Sequence, residues 1–310
     1  MQVVLTDKKL DGYDFDADVK IQCINIKTLN KYNGNSDVVA IVGSRAMAIA
    51  CDKMDLPSLK LFQLTSAGFD GVPCESLAKK GIAVANAGSV YSAPIAETVV
   101  LGMLLVAKKL RKNPNNRFFK LTRHYNLITE LYGKNVLIMG AGNIGTAVAN
   151  RLVGFDVTVD GYDPYCAEKK PYGRILRTRD ELKAALCNYD YIVSTLPDNE
   201  ETKGSVNAEL FSAMKKSAVI INVGRKAVFN ENDFYTALKK KQIGGAVLDM
   251  FEKLPNPITN KFRRLGNTIV LPGVSAISKE VNVRLREHVY KNLVASLGGS
   301  EVSNVINGVK

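Results

Sequence analysis

The stretch that decides the fold reads Asn135-Val-Leu-Ile-Met-Gly-Ala-Gly-Asn-Ile-Gly-Thr-Ala-Val-Ala149. Val136 to Met139 is a short apolar run, which is typical of a buried parallel strand. Gly140, Gly142 and Gly145 follow at G-x-G-x-x-G spacing, and a helix is predicted to continue over 147–152. The first glycine permits a tight turn, the second lets the backbone approach a pyrophosphate, and the third lets the helix pack on the strand. The helix N-terminus adds free N–H groups, so the turn predicts a dinucleotide site that includes Asn143 and Ile144.

A second apolar strand, predicted over 157–162, ends at Asp163. A carboxylate at this point can accept hydrogen bonds from both hydroxyls of an adenosine ribose. Asp160 is the other candidate, but Asp163 stands at the carboxyl end of the strand, where open α/β sheets bind ligands. No arginine follows Asp163 closely in the sequence, and NAD is therefore predicted rather than NADP. The alternative is a tight strand–helix turn that binds no ligand.

Composition limits the class of protein. The 310 residues are 46% hydrophobic, enough for two domains with their own cores. The longest apolar stretch, 95–107, contains Glu97 and is too short to span a bilayer, and no signal-peptide pattern begins the chain, so no membrane association is expected. Five scattered cysteines without a C-x-x-C pair favour the cytoplasm, and two histidines make a metal site improbable. The net charge of +12 is spread along the chain, which disfavours a nucleic-acid surface.

Short apolar runs alternate with helical patterns along the whole chain. In the first part, strands are predicted over 3–5, 19–26, 38–42, 59–64 and 82–85, with helices over 46–54 and 72–80. In the second part, strands are predicted over 191–195, 218–223, 246–248 and 268–271, and a final helix over 278–297. This alternation predicts an α/β fold with two doubly wound parallel sheets.

Small and polar residues end several of these strands. Ser66-Ala67-Gly68 is a turn whose N–H groups could hold a carboxylate, although such a turn on its own is more often only a turn. In the second part, Thr195-Leu196-Pro197, Asn222 to Arg225, Asp249 and Pro272-Gly273 stand where strands end. They are expected to line one crevice at the carboxyl ends of the strands.

With these residues in view, the chain resembles the D-isomer-specific 2-hydroxyacid dehydrogenases over nearly its whole length. The resemblance depends on several motifs in a fixed order. They are Ser66 to Asp70, Asn86 with Ile95-Ala96-Glu97, Gly133-Lys134, the glycine turn with Asp163, Leu196-Pro197 with Thr202, Asn222 to Arg225, and Leu248 to Glu252.

The resemblance implies a flavodoxin-like substrate domain from 1–94 and 281–310, and a Rossmann NAD-binding domain from 95–280. It implies that Arg225 clamps the carboxylate and keto oxygen of a 2-oxo acid, and that the N–H groups of the Ser66–Gly68 loop receive the carboxylate. Asp249 matches the residue near the nicotinamide carboxamide. The remaining cofactor contacts that it implies are Thr195, Leu196, Pro197, Thr202, Val223 and Gly224.

Two residues that the family uses for catalysis are absent. The proton donor is a histidine directly after the proline of the last strand, where this chain has Gly273. The carboxylate that orients this histidine falls at Leu254, and the glycine that follows the arginine is replaced by Lys226. General acid catalysis is typically worth about 10²–10⁴-fold, so slow reduction of 2-oxo acids is expected.

Four side chains could in principle replace the donor. His288 is expected too far along the last helix, and His124 lies in an arm over 112–134 that can reach the partner in family dimers. Tyr91 is a further candidate. Lys226 stands beside Arg225, and a lysine whose pKa is lowered by a cationic neighbour and burial can act as an acid. The alternative is a lysine that is solvated or faces a cofactor phosphate.

Two functions follow from this pattern. The first is an NAD(H)-dependent oxidoreductase that transfers a hydride between nicotinamide and a small 2-oxo or 2-hydroxy acid, with Arg225 as the clamp and an atypical or missing donor. The second is a catalytically degenerate NAD-binding regulatory or scaffolding protein. The mostly apolar helix predicted over 93–110 further predicts a homodimer.

Overall fold

The computed structural model describes residues 1–7, 15–110, 128–166, 171–249 and 260–309. The chain divides into two compact units. The first consists of Met1–Tyr91 with Ser278–Lys310, and the second is the continuous segment Ser92–Ile277. Each boundary lies three residues from the one expected from the sequence. The chain therefore leaves the first unit once and returns to it.

The first unit contains a five-stranded parallel sheet. Its strands, β1 to β5 in chain order, are Gln2–Thr6, Val19–Cys23, Val38–Gly43, Leu61–Leu64 and Ala83–Ala85. Their order across the sheet is β2-β1-β3-β4-β5, which is the order of flavodoxin-like doubly wound sheets. The predicted fold class is confirmed for this unit.

The second unit contains a seven-stranded parallel sheet. Its strands, β6 to β12, are Asn135–Met139, Thr158–Tyr162, Ile175–Leu176, Tyr191–Ser194, Val219–Asn222, Gly245–Leu248 and Thr268–Val270. Their order is β12-β11-β10-β9-β6-β7-β8, a Rossmann order that reverses between β6 and β9. Ligands of open α/β sheets bind at such a reversal, so the fold places the candidate cofactor site beside the end of β6.

Helices cover both sheets. Helices α1 to α9 are Ile26–Leu29, Arg45–Asp52, Cys74–Lys79, Ser92–Ala107, Asn143–Leu152, Arg179–Ala185, Ala208–Ala213, Glu231–Lys239 and Lys279–Leu297. Several of these helices begin at a polar residue whose side chain accepts a hydrogen bond from a free N–H group of the first turn. Ser44 accepts from Met47, and Thr178 forms a reciprocal capping box with Glu181.

The first unit has a core on each face of its sheet, because successive side chains of a strand point to opposite sides. Val3 and Leu5 pack with Phe62 on one face. Val4 packs on the other face, and α9 covers that face with Val281, Leu285, Val289 and Leu293. The last helix of the chain therefore completes the core that the first strand begins.

Two of the differences between the predicted and the observed elements have a local cause. The strand predicted over 19–26 ends at Cys23, because Asn25 caps the short helix α1 with its side chain. The two-residue strand β8 at Ile175–Leu176 was not predicted, since it is too short for any periodicity to show. Among the described residues, no helix combines the length and the hydrophobicity that a membrane span needs.

Candidate functional site

Strand register brings the predicted residues of the second unit to one edge of its sheet. Met139 pairs with Tyr162 on one side and with Ser194 on the other. Ser194 pairs with Asn222, and Asn222 with Leu248. The residues that follow these strand ends lie together at this edge, namely Gly140, Asp163, Thr195, Val223 and Asp249.

The glycine turn has little room for side chains at two of its three glycines. Gly140 has a φ of 98°, and a Cβ there would lie 2.7 Å from Oγ1 of Thr195. A Cβ at Gly145 would lie 2.0 Å from the carbonyl oxygen of Gly140. A Cβ at Gly142 would meet nothing within 4 Å, and α5 begins at the next residue, Asn143. The turn is therefore closed toward the sheet and open at Gly142, which leaves space for a ligand to approach the backbone.

The carboxylate of Asp163 lies directly on this turn. It accepts hydrogen bonds from the backbone N–H groups of Ala141 at 2.9 Å, Tyr165 at 2.9 Å and Cys166 at 3.1 Å. Asp160 has a different setting, because its buried carboxylate pairs with Nε of Arg174 at 2.9 Å. Its other neighbour, the Tyr189 hydroxyl, donates to it at 2.7 Å. Of the two acids, Asp163 is the one in contact with the glycine turn.

The segment after β9 is tied to the glycine turn. The hydroxyl of Thr195 donates to the carbonyl of Gly140 at 2.9 Å, and its N–H donates to Met139 at 2.9 Å. After Leu196, the Pro197 carbonyl accepts from the hydroxyl of Thr202 at 2.7 Å. Thr202 therefore shapes the turn over 197–202.

The segment after β10 approaches the same backbone. The N–H groups of Val223 and Gly224 both donate to the carbonyl of Ser194, at 3.1 and 3.0 Å. A Cβ at Gly224 would lie 2.8 Å from the carbonyl oxygen of Leu196. Glycine is therefore the residue that lets these two loops pack together.

Two buried polar groups at this edge have no hydrogen-bond partner among the described residues. Oγ of Ser194 and Nδ2 of Asn222 form no hydrogen bond with any described residue. A buried donor without a partner costs free energy, and such groups cluster where a ligand or water completes the site. Together with the open space at Gly142 and the acid at Asp163, they fit a dinucleotide at the carboxyl edge of this sheet.

Arg225 and Lys226 follow Gly224 but have different surroundings. Arg225 is half-buried, and its Nη1 lies 3.4 Å from the carbonyl oxygen of Gly224. Lys226 is exposed, and its Nζ pairs with Glu231 at 2.5 Å. Lys261 pairs with the other oxygen of Glu231 at 3.1 Å. Burial opposes ionisation of Glu231, but these two lysines outweigh it and lower its pKa.

Asp249 holds the loop that follows β12 in place through hydrogen bonds. Its buried carboxylate accepts hydrogen bonds from the N–H groups of Val274 at 3.1 Å and Ser275 at 3.2 Å, and another from the Ser275 hydroxyl. Gly273 in this loop has a φ of 71°, a left-handed conformation that residues with a Cβ rarely adopt. Leu254 and the motif residues 250–252 lie outside the described residues.

The Ser66–Gly68 loop of the first unit is held through its carbonyl oxygens. Asn86 Nδ2 donates to the carbonyl of Ala67 at 2.9 Å, and the N–H of Ala87 donates to that of Ser66 at 3.0 Å. The Ser66 hydroxyl donates to the Gly68 carbonyl at 2.7 Å. In the described part of the chain, the N–H groups of these three loop residues donate to no protein group. The loop therefore has the polarity that a carboxylate requires.

The other donor candidates lie in the first unit or outside the described residues. His288 places Nε2 2.9 Å from the carbonyl oxygen of Asn86, and burial together with the nearby Lys291 lowers its pKa despite this contact. The Tyr91 hydroxyl donates to the carbonyl of Thr65 at 2.6 Å, and burial raises its pKa. His124 and residues 112–127 of the arm lie in the part that the structure does not describe.

Two sets of contacts at these edges were not predicted from the sequence. One joins Asn86 to His288 and the Ser66–Gly68 loop, and the other joins Tyr165 to Glu201. The only signal for the first was a lone histidine on the apolar face of α9. Within the described ranges, no group of three or more His, Cys, Asp or Glu side chains is arranged to hold a metal ion.

Comparison with known proteins gives consistent relatives. The chain is 30% identical over 250 residues to D-3-phosphoglycerate dehydrogenase of Methanocaldococcus jannaschii, covering 80% of this chain but only 48% of that protein. It is 30% identical over 260 residues to glyoxylate reductase of Korarchaeum cryptofilum, covering 81% of this chain and 77% of that protein.

A solved structure shares the fold over nearly the full length. It is the NADPH-dependent glyoxylate/hydroxypyruvate reductase of Sinorhizobium meliloti in complex with NADP and malonate. The TM-score is 0.75 at 24% identity, with 99% of this chain and 97% of that chain covered. At this identity the likeness shows the fold alone.

Residues 101–275, more than half of the chain, match the NAD binding domain of the D-isomer specific 2-hydroxyacid dehydrogenases. This match and the curated relatives confirm the resemblance seen in the motifs and the prediction of an oxidoreductase. The chain belongs to the D-isomer specific 2-hydroxyacid dehydrogenase family.

Proposed function

We propose that this chain is an NAD(H)-dependent oxidoreductase of small 2-oxo and 2-hydroxy acids, with Arg225 as the substrate clamp. The observation that carries the proposal is the single edge shared by the glycine turn and the Val223–Gly224 segment that leads into Arg225. Hydrogen bonds from that segment to the carbonyl of Ser194 fix the backbone directly before the arginine.

When bound, the nicotinamide ring supplies or accepts the hydride. The guanidinium of Arg225 has a planar fork that can hold a carboxylate through two hydrogen bonds. It can also donate to the keto oxygen and stabilise the charge that develops there. In the first unit, we propose that the N–H groups of the Ser66–Gly68 loop donate hydrogen bonds to the carboxylate of the same class of substrate.

The proposal includes a preference for NAD(H) over NADP(H). Asp163 supports it, because a carboxylate on the glycine turn accepts ribose hydroxyls and repels a 2′-phosphate. A reductase of the same fold binds NADP, so the preference needs a direct test. Titration of the protein with NADH and NADPH provides it, and Asp163→Ala should reduce the difference in Kd.

Lys226 is the candidate proton donor in this proposal. Its ion pair with Glu231 offers an alternative role in fixing the start of α8. Lys261 provides a matched control, because it pairs with the same carboxylate. If Lys226 is the donor, Lys226→Met abolishes turnover and Lys261→Met does not. If Lys226→Met and Lys261→Met instead have the same activity, Lys226 is not the donor and acts only through its ion pair with Glu231.

A second function, an NAD-binding regulatory or scaffolding protein, is favoured by the backbone at Gly273. A histidine at a φ of 71° costs about 1–2 kcal/mol, so the position is unsuited to the family's donor. For the same reason Gly273→His with Leu254→Glu should restore little activity.

A turnover assay with NADH over a panel of 2-oxo acids separates the two functions. Weak turnover that Arg225→Gln removes, with NADH affinity retained, supports the enzyme. NADH binding without any turnover supports the regulatory protein. Turnover at a kcat/KM of about 10⁵ M⁻¹s⁻¹ or above, within the ordinary enzyme range, would contradict the expected loss of the proton donor.

We also propose a homodimer. The middle of α4 exposes Leu101, whose surface is 52% accessible, on a helix with mostly apolar residues. A second copy would cover this surface. Sedimentation at micromolar concentration should give twice the mass of the chain, and Leu101→Lys should shift it toward the monomer.

The five free cysteines are consistent with the proposed cytoplasmic location.

A further inference from the structure

A hydrogen-bonded bridge crosses the sheet edge in front of the glycine turn. In the strand order, β6 lies between β9 and β7, so the glycine turn lies between the loops that follow those two strands. Tyr165 belongs to the loop after β7, and Glu201 to the loop after β9. The Tyr165 hydroxyl lies 2.8 and 2.7 Å from the two carboxylate oxygens of Glu201. The two loops are therefore linked across the place where the dinucleotide approaches.

The Tyr165 loop is itself fixed to the glycine turn. The carboxylate of Asp163 accepts hydrogen bonds from the N–H groups of Tyr165 and Ala141. It therefore joins the Tyr165 loop to the glycine turn. The thiol of Cys166 lies 3.8 Å from the carbonyl oxygen of Ala141. Tyr165 therefore has an anchored backbone although the residue as a whole is 78% exposed. The anchored ring directs its hydroxyl to Glu201.

The bridge brings a second negative charge to the side of the turn that holds Asp163. The pKa of Tyr165 is raised chiefly by its hydrogen bond to Glu201, and also by the charges of Glu201 and Asp163. Both carboxylates therefore act on the same phenol. Among the described residues, neither carboxylate forms an ion pair with a lysine or arginine.

Two arginines lie near the same loop, and one of them, Arg179, is paired with an acid. Arg177 donates to the carbonyl of Cys166 at 2.8 Å, and its backbone N–H donates to Glu181. Arg179 pairs with Glu209 at 3.2 Å. The charge of Arg179 is therefore offset by Glu209, whereas the guanidinium of Arg177 lies beside the loop and its effect on a 2′-phosphate is tested separately.

We propose that Glu201, held in place by Tyr165, is a second cofactor-specificity residue that acts with Asp163 against dinucleotides carrying a 2′-phosphate. This inference rests on the proposed NAD(H) function and extends it to Glu201, which is not among the cofactor contacts that the family resemblance implies. A 2′-phosphate brings about two negative charges near neutral pH. It would be repelled by both carboxylates, whereas a ribose with free hydroxyls can donate hydrogen bonds to them.

The test is a fluorescence titration of the full chain with NADH and with NADPH, which needs no turnover. Glu201→Gln removes the charge and keeps the shape, and Glu200→Gln is the control because it removes the same charge from the neighbouring exposed residue. We expect Glu201→Gln to improve the Kd for NADPH relative to NADH by about fivefold, a size that one solvent-screened charge pair supports. Glu200→Gln should change this ratio by less than about twofold.

Tyr165→Phe gives an independent measurement, since it leaves the charge but releases Glu201. A smaller gain in relative NADPH affinity is expected, and it should disappear when Glu201 is already Gln. If Glu201→Gln and Glu200→Gln give the same ratio of the Kd values for NADPH and NADH, and the unchanged protein still prefers NADH, the role proposed for Glu201 is overturned while that of Asp163 stands. Preference for NADPH that Arg177→Gln removes would also overturn it.

If the unchanged protein binds neither dinucleotide, the proposed function fails together with this inference. If it binds NADH tightly and Asp163→Asn relaxes specificity while Glu201→Gln does not, the function stands and only the bridge proposal is wrong.

Discussion

The two units hold their edge loops by different means. In the second unit, the glycine turn runs directly into α5, and close contacts with backbone and side chains leave no room for a Cβ at Gly140 or Gly145. In the first unit, α3 begins only at Cys74, well after the Ser66–Gly68 loop, and that loop is held by hydrogen bonds. The glycine turn of the second unit is shaped by steric contact, and the Ser66–Gly68 loop of the first unit is shaped by polar contacts from residues distant in the sequence. We therefore expect them to respond to different mutations.

The largest effect is expected at Gly145. In Gly145→Ala the new Cβ would lie 2.0 Å from a carbonyl oxygen, so the turn must open. The cost should be about 3 kcal/mol or more of unfolding free energy, with loss of NADH binding. Chemical denaturation and NADH titration measure both.

Gly142→Ala is the control for that change, since its Cβ would meet nothing within 4 Å of protein. Stability should stay nearly unchanged while NADH binding weakens, because the methyl group occupies space that the ligand needs. A stable Gly145→Ala protein would show that the turn is not shaped by steric contact.

An intermediate effect is expected at Asn86. Asn86→Ala removes a donor to the Ala67 carbonyl and an acceptor for the N–H of Gly88. The side chain is buried, so the loss should be about 2 kcal/mol of unfolding free energy. If turnover is measurable, KM for the 2-oxo acid should rise while the Kd for NADH stays unchanged.

Tyr91→Phe sharpens that prediction, because it removes one hydrogen bond to Thr65 at the other end of the same loop. About 1 kcal/mol is expected, less than for Asn86→Ala. A change in NADH affinity in either variant would mean that the loops of the two units are not independent.

The smallest effect is a pH dependence from His288. Its pKa is lowered in the folded chain, so below about pH 6.5 the unfolded chain takes up the proton first. Stability should therefore be fully present above pH 6.5 and fall as the pH drops below it. His288→Gln should lack this part of the fall. Denaturation midpoints of the two proteins between pH 5.5 and 7.5 provide the comparison, and parallel curves would contradict it.

The sequence was sufficient where structure depends on local pattern. The alternation of apolar runs and helices predicted both parallel sheets, and the spacing of Gly140, Gly142 and Gly145 predicted the turn. Contacts between distant residues were not visible in this way. His288 meets Asn86 only because α9 returns to the first unit, and Tyr165 meets Glu201 only because β6 separates β7 from β9 in the sheet. Residue roles in catalysis, including those of Arg225 and Lys226, stay predictions.

The return of α9 to the first unit has a consequence for synthesis on the ribosome. The strands of the first unit are translated before the second unit, but the helix that covers one face of their sheet is translated after it. The second unit is one continuous segment and can fold as soon as it emerges. We therefore expect the usual order to be inverted, with the middle of the chain folding first while the nascent N-terminal sheet exposes an apolar face that chaperones can bind.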